Sequence, residues 1–159
     1  GCSAEMEKRL ISGILQRVNL NALMISSIAE GGDVGQIFQR LAHNRINIEF
    51  INQIPLKNGH NNVILCVDSK DIHSTLASLE EIKTSISAGD IFPLARAGIL
   101  SLFPHREHAI IISTVIQTLF AANIPLFAMA SSISAISCVI NEEKIPDALS
   151  LLSKTFGLS

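Results

Sequence analysis

Val34-Gly-Gln-Ile37-Phe38-Gln-Arg-Leu41 is the stretch from which the rest of the chain is read. Its apolar residues fall at i, i+3, i+4 and i+7, the spacing of one helix face. Ile112, Val115, Ile116 and Leu119 repeat that spacing 78 positions later. Each helical stripe is followed by an apolar run, INIEFINQI from Ile46 and IPLFAMASS from Ile124. A further run then carries a cysteine, VILCVD from Val63 and AISCVI from Ala135. A second stripe closes each copy: Ile72, Thr75, Leu76 and Leu79, then Ile145, Ala148, Leu149 and Leu152. The offset moves from 78 to 72 and then 73, so the copies differ by small loop changes. The pattern is an internal duplication of a strand–helix–strand–strand–helix unit. Two small sandwiches of this kind point to sensing rather than catalysis.

Composition narrows the partners. The 159 residues carry a net charge of −2, are 48% hydrophobic, and contain no Trp or Tyr and seven Phe. The core must therefore come from Ile, Leu, Val, Ala and Phe. No long Lys/Arg run exists, and the central strands offer Val63, Leu65, Cys66, Ile136 and Cys138 where base-stacking sheets carry aromatics, so no nucleic-acid partner is expected. The longest apolar stretch, 124–140, is broken by Pro125 and several serines and is not a membrane span. The first ten residues are charged and lack an apolar leader core. Of the three cysteines, Cys2, Cys66 and Cys138, the last two sit at equivalent places on buried strands. They read as small core residues, and a cytoplasmic setting is expected.

Along the chain, residues 1–9 form a polar lead. Strands are expected at 10–15 and 20–27, joined by a turn, since aliphatic runs flank Gln16, Arg17 and Asn19. The loop 29–33 feeds a helix to about 44, with Asp33 as a plausible N-cap. A strand at 46–55, a turn at 57–62, a strand at 63–68 and a helix to 83 complete the first copy. The segment 85–89 is the softest and marks the boundary. The second copy reads as strands at 91–94 and 98–103, a helix at 108–122, strands at 124–131 and 134–140, and a helix at 142–156 ended by Gly157. The expected class is α+β: two ferredoxin-like (βαββαβ) domains at 16–84 and 85–159, antiparallel sheets with helices on one face. The strand 10–15 is free to pair with the second sheet instead of the first. The uncovered sheet faces and helix sides are association surfaces, so a homodimer is expected.

Four segments carry a family resemblance: ISGI at 11–14, IFQRLAHNRINIEFINQ at 37–53, SSISAISCVINEEKIPDAL at 131–149, and LLSKTFGL at 151–158. Together they resemble the C-terminal regulatory region of aspartate kinases, a tandem pair of ACT domains. The resemblance implies allosteric control. An end-product amino acid, lysine or threonine, binds at an interface between ACT domains and changes the activity of an amino-acid kinase domain. That kinase domain belongs to the parent protein, and this chain is expected to be its regulatory part and not itself an enzyme. Gly31-Gly-Asp-Val-Gly35 lacks the Lys of a phosphate-binding loop. No nucleophile arrangement can be assembled, and no cofactor is implied. His105 and His108 lack further metal ligands. A free-standing ACT sensor and a ligand-free dimerisation module remain as alternatives.

Amino-acid binding needs amide donors for the carboxylate, an acceptor for the ammonium group, and a fitted pocket. A helix N-terminus supplies the first. Glu30, Gly31, Gly32, Asp33 and Val34 form the loop at the first helix start, and the glycines admit close backbone approach. The resemblance adds Asn47, Ile48 and Glu49 at the start of the next strand and Gln53 further along. Each has a plainer reading. Asp33 could only cap the helix, and the glycines could only turn the chain. Asn47 and Glu49 could be solvent-facing, with Ile46, Ile48 and Phe50 on the other face. Aspartate kinases commonly carry an Asp-x-Pro-Gly turn here, whereas this chain has Ala29-Glu30-Gly31-Gly32. In the second copy Phe103–His108 replaces the glycine loop, Pro125 replaces Asn47 and Phe127 replaces Glu49. That copy is expected to pack as a non-binding partner.

Overall fold

The computed structural model describes residues 9–158, so Cys2 and all of the polar lead but Arg9 lie outside the described residues. The elements run β1 (Ile11–Ile28), α1 (Gly35–His43), β2 (Ile48–Pro55), β3 (Asn61–Asp68), α2 (Ile72–Ile82), β4 (Ile91–Pro104), α3 (His108–Ala121), β5 (Leu126–Ser131), β6 (Ile136–Asn141) and α4 (Ile145–Thr155). The chain divides into two compact units, one of residues 19–97 and one of residues 9–18 with 98–158, rather than at the 84/85 junction expected from the sequence.

In the first unit the strand order is β2-β3-β1-β4, using residues 19–28 of β1 and 91–97 of β4. In the second it is β1-β4-β6-β5, using residues 11–18 of β1 and 98–104 of β4. Both are α+β, with antiparallel strands and two helices on one sheet face. In the second unit the last strand of the βαββαβ pattern comes from the start of the chain. The segments 10–15 and 20–27 are not two strands with a turn: β1 is one strand of 18 residues. The polar residues that suggested a turn leave only Asn19 in the left-handed region, at φ 62°, which Asn tolerates. The pair expected at 91–94 and 98–103 is likewise one strand, β4.

The helix stripes bury most of their residues as their spacing implies, but Phe38 and Ile116, at the i+4 place of the two first-helix stripes, are exposed. In the first unit Ile37, Leu41, Leu79 and Ile82 pack on Leu23, Ile25, Val63, Leu65 and Val67. In the second, Ile111, Val115, Leu119, Ala148 and Leu152 pack on Leu100, Leu102, Ile136, Cys138 and Ile140. Each fully buried Leu or Ile contributes about 1.5–3 kcal/mol. Asp68 Oδ1 accepts the Lys70 amide at 3.0 Å and Asn141 Oδ1 accepts the Glu143 amide at 2.9 Å, so both second helices are entered through the same cap, 73 residues apart. Gly157, at φ 71°, ends α4 as expected.

The faces correct one equivalence. Leu65 and Val67 face the helices, so Cys66 between them faces away, whereas Cys138 belongs to the helix-side core. The counterpart of Cys138 is Leu65, at the same 73-residue offset as the caps, and the match of the two cysteines was one residue out of register. A slip of one residue exchanges the faces of a strand. The sheet face away from the helices is not open at this place either: Ala22, Ile64 and Cys66 are all buried. A second irregularity is shared by the copies. Ile48 pairs with Val67 but Phe50 with Cys66, which makes Glu49 the extra residue of a bulge. Leu126 pairs with Ile140 but Ala128 with Val139, which puts Phe127 at the equivalent place. Phe50 is therefore turned to the face opposite Ile48, not the same one.

Burial pushes both thiols up from 9.0 to about 12. Below pH 9 they are neutral folded or unfolded; above it only the unfolded chain ionises, so stability falls as pH rises from 9 towards 12. At pH 8 iodoacetamide should label Cys66 and Cys138 only in denaturant, as read by peptide mass mapping. A Cβ on Gly98 would stand 2.5 Å from Ile145 Cγ1 and 3.2 Å from the Arg17 carbonyl oxygen. Gly98→Ala should therefore cost about 1–3 kcal/mol and lower Tm by several degrees in a thermal melt.

Candidate functional site

Residues 29–34 connect β1 to α1 in the first unit, and local hydrogen bonds set their course. The Ala29 amide donates to the Ser87 carbonyl at 2.9 Å, and the Gly32 amide donates to the Ala29 carbonyl at 2.9 Å. Gly31 takes φ 87°, a conformation that side chains rarely adopt, and has open space around it. Gly32 is there for a different reason: a Cβ would collide with the Ile86 carbonyl oxygen and lie 2.8 Å from Ile28 Cγ2. This glycine lets the loop pack on the segment after α2.

The cap of α1 lies one residue later than expected. Val34 is the N-cap residue and supplies no side-chain bond. Asp33 Oδ1 instead accepts the Gly35 amide at 2.9 Å. The Gln36 and Ile37 amides donate to the Asp33 and Val34 carbonyls at 3.1 and 3.0 Å. The first three amides of the helix are thus already bonded within the chain. The amides of Gly31, Asp33 and Val34 make no hydrogen bond among the described residues. An incoming carboxylate would meet the loop amides rather than those of the helix.

Glu30 is exposed, and its Oε2 would stand 3.1 Å from any Cβ placed on Gly59, so its carboxylate lies over the β2–β3 turn. Asn47 is exposed just before β2, Ile48 packs against the core, Glu49 is the half-buried bulge residue, and Gln53 is exposed further along β2. The order β2-β3-β1 places β3 between β2 and the strand that leads into the loop. The structure therefore groups Glu30 to Val34 tightly, with Glu30 over the β2–β3 turn. Asn47 follows α1 at the opposite end of that helix from Val34. Surface hollows of about 290–300 Å³ lie elsewhere: one beside Gln36, Gln39, Arg40, His43 and Ile82, another beside Ala122, Ile124, Lys144, Asp147 and Leu151.

The sequence reading missed the polar end of β1. The Ser27 amide donates to Asn62 Oδ1 at 2.9 Å, and Ser27 Oγ and His60 Nδ1 are hydrogen-bonded at 2.9 Å. The paired serines interrupting an aliphatic run were the available signal. In the second unit Glu107, at φ 58°, is the N-cap residue of α3, and the His108 ring is hydrogen-bonded to the Ile133 carbonyl at 3.0 Å.

No family model and no curated protein sequence matches this chain. Solved structures do. One described as aspartokinase alpha and beta subunits is 24% identical with a TM-score of 0.83, over 92% of this chain and 99% of that one. The regulatory subunit of aspartate kinase from Thermus flavus is 17% identical with a TM-score of 0.81, over 93% and 99%. The chain has the fold of aspartate kinase regulatory domains. Escherichia coli aspartokinase III in complex with lysine and aspartate, in its T-state, is 16% identical with a TM-score of 0.65, over 93% of this chain and 33% of that one.

If Gly32 serves packing, Gly32→Ala should lower the melting temperature in the absence of any amino acid, at a cost of about 1–3 kcal/mol. Gly31→Ala should cost about 1–2 kcal/mol through backbone strain alone. Denaturant unfolding of the two variants measures both.

Proposed function

We propose that this chain is an amino-acid-binding regulatory module of an aspartate kinase, serving feedback control by lysine or threonine. The observation that carries the reading is the loop 29–34. It offers free amides at Gly31, Asp33 and Val34 beside the exposed carboxylate of Glu30, on a fold shared with aspartate kinase regulatory subunits. The carboxylate of the effector would take the amides, and its ammonium group would take Glu30. Gln53, towards the end of β2 that leads into the turn under Glu30, would act from the side; Asn47, Ile48 and Glu49 stand at the other end of β2 and would not share this loop's ligand. A solved structure of the same fold holding lysine supports an amino acid as the ligand. The chain itself would carry no catalysis. Its partner would be an amino-acid kinase domain, in the cytoplasm; no helix among the described residues is long and apolar enough to cross a membrane.

Assembly as a homodimer is part of the same proposal. α3 contains no Asp, Glu, Lys or Arg, and Ile110, Ile116 and Phe120 are exposed on it, Phe120 by 82%. Phe38 on α1, the counterpart of Ile116, is also exposed. Uncharged helix faces with large apolar residues mark interaction surfaces. The second reading, a dimerisation module without a ligand, draws on the internal bonding of the Gly35, Gln36 and Ile37 amides.

A thermal-shift screen of the twenty amino acids tests the first reading. An effector at 100 times its Kd stabilises by about 2.7 kcal/mol and raises Tm by several degrees; a flat response to all twenty sinks it. Light scattering tests the dimer. The chain should run as two copies, and Phe120→Glu should shift it towards one. A wild-type chain that runs as a monomer removes the assembly.

A further inference from the structure

The regular ladder between β1 and β3 breaks just before the candidate loop. Ile25 pairs with Val63 and Ile28 with Asn61, so Ser26 and Ser27 together face the single residue Asn62. The extra residue makes a bulge, which bends a strand and re-aims the chain beyond it. Ser27 takes φ 53°, a left-handed conformation that is unfavourable for a non-glycine residue.

Side chains hold it there. Asn62 Oδ1 accepts the Ser27 amide, and the His60 ring is bonded to the Ser27 hydroxyl, both at 2.9 Å. Asn58 Oδ1 in turn accepts the His60 amide at 3.0 Å. On the β4 side, the Ser26 amide donates to the Asp90 carbonyl at 2.8 Å, Ser26 Oγ accepts the Asp90 amide at 3.1 Å, and the Gly89 amide donates to the Ser26 carbonyl at 2.8 Å. The chain thus enters residues 29–34 from a joint fixed on both flanks. The turn that fixes it on the β3 side, residues 56–60, is the one Glu30 lies over. At the matching end of β4 the second unit has Phe103 and Pro104, whose side chains can neither donate nor accept.

We propose that Ser27, Asn62 and His60 are positioning residues for the effector: they fix the bulge that aims the amides of Gly31, Asp33 and Val34 and the carboxylate of Glu30 at one amino acid. The proposal rests on the amino-acid-binding reading above. It explains why only the first copy would bind. The joint that holds its loop is polar and side-chain-built, whereas in the other copy Pro104 stands at the matching strand end and Ala135, 73 residues on, stands where Asn62 does.

The test compares wild type, Asn62→Ala, Asn62→Asp and Ser27→Gly by calorimetric titration with lysine and with threonine, and by hydrogen exchange without any amino acid. Asn62→Ala should weaken binding at least fivefold and speed exchange of the amides of residues 29–34, with exchange in α2 and α3 unchanged. Asn62→Asp keeps the acceptor and should restore affinity to within twofold. Ser27→Gly keeps the backbone conformation but loses the hydroxyl, and should fall between. Wild-type affinity in Asn62→Ala, or loop exchange unchanged by it, overturns the positioning role alone. Equal losses in Asn62→Asp and Asn62→Ala overturn it too, since the acceptor would then not matter. A wild-type chain that binds neither amino acid overturns the sensing reading, and the positioning role with it.

Discussion

Antiparallel pairing of β1 with β4 is the constraint on which both units depend. Each four-stranded sheet contains one stretch of β1 and one of β4, and without that pair neither unit has its fourth strand. The hydrogen bonds show the direction. In the second unit the His105 amide reaches the Leu10 carbonyl; in the first, the Ser26 amide reaches Asp90 and the Ala29 amide reaches Ser87. A small unit of four strands and two helices buries a limited core, so losing a strand would expose much of the apolar surface that stabilises it. The demand falls on sequence at Gly98, where only hydrogen fits between Ile145 and the Arg17 carbonyl.

The two copies use the same scaffold differently. Both keep the caps at Asp68 and Asn141, the bulges at Glu49 and Phe127, and the left-handed residues Arg45 and Asn123 after the first helix. These positions set backbone direction, so they tolerate little change. The side chains around them diverge. Asn47 and Glu49 correspond to Pro125 and Phe127, and the glycine loop corresponds to Pro104–Glu107. Polar chemistry is concentrated in the first copy, while the second carries a helix free of Asp, Glu, Lys and Arg.

Much of this was legible because helix stripes and caps are local. Val34 to Leu41 and Ile72 to Leu79 announce their buried faces by spacing alone, and the duplication reinforces each. Strand continuity was not legible. Gln16, Arg17 and Asn19 look like a turn, because sequence does not show that a single left-handed Asn can carry a strand through. Register was not legible either. Cys66 and Cys138 attract alignment by identity, yet the faces pair Leu65 with Cys138. The bulge at Glu49 defeats simple alternation, since one extra residue reverses every side chain before it relative to those after. For the candidate loop, the glycines were visible but their different duties were not. Gly31 answers to a backbone angle and Gly32 to the Ile86 carbonyl oxygen, which is far away in sequence. The Ser27 joint was invisible because its partners, His60 and Asn62, come from another strand.

The borrowed strand of the second unit has a consequence for the order of events on the ribosome. Residues 19–97 hold every strand and helix of the first unit in one continuous stretch, so that unit can close as soon as it emerges. Residues 11–18 are made before it but belong with residues 98–158. At roughly 5–20 residues per second, they wait on the order of 4–16 s for β4 to be made. During that interval an aliphatic segment, ISGILQRV, has no sheet to join. Nascent chains stalled just after residue 97 would therefore carry one finished unit and one orphaned, exposed aliphatic strand.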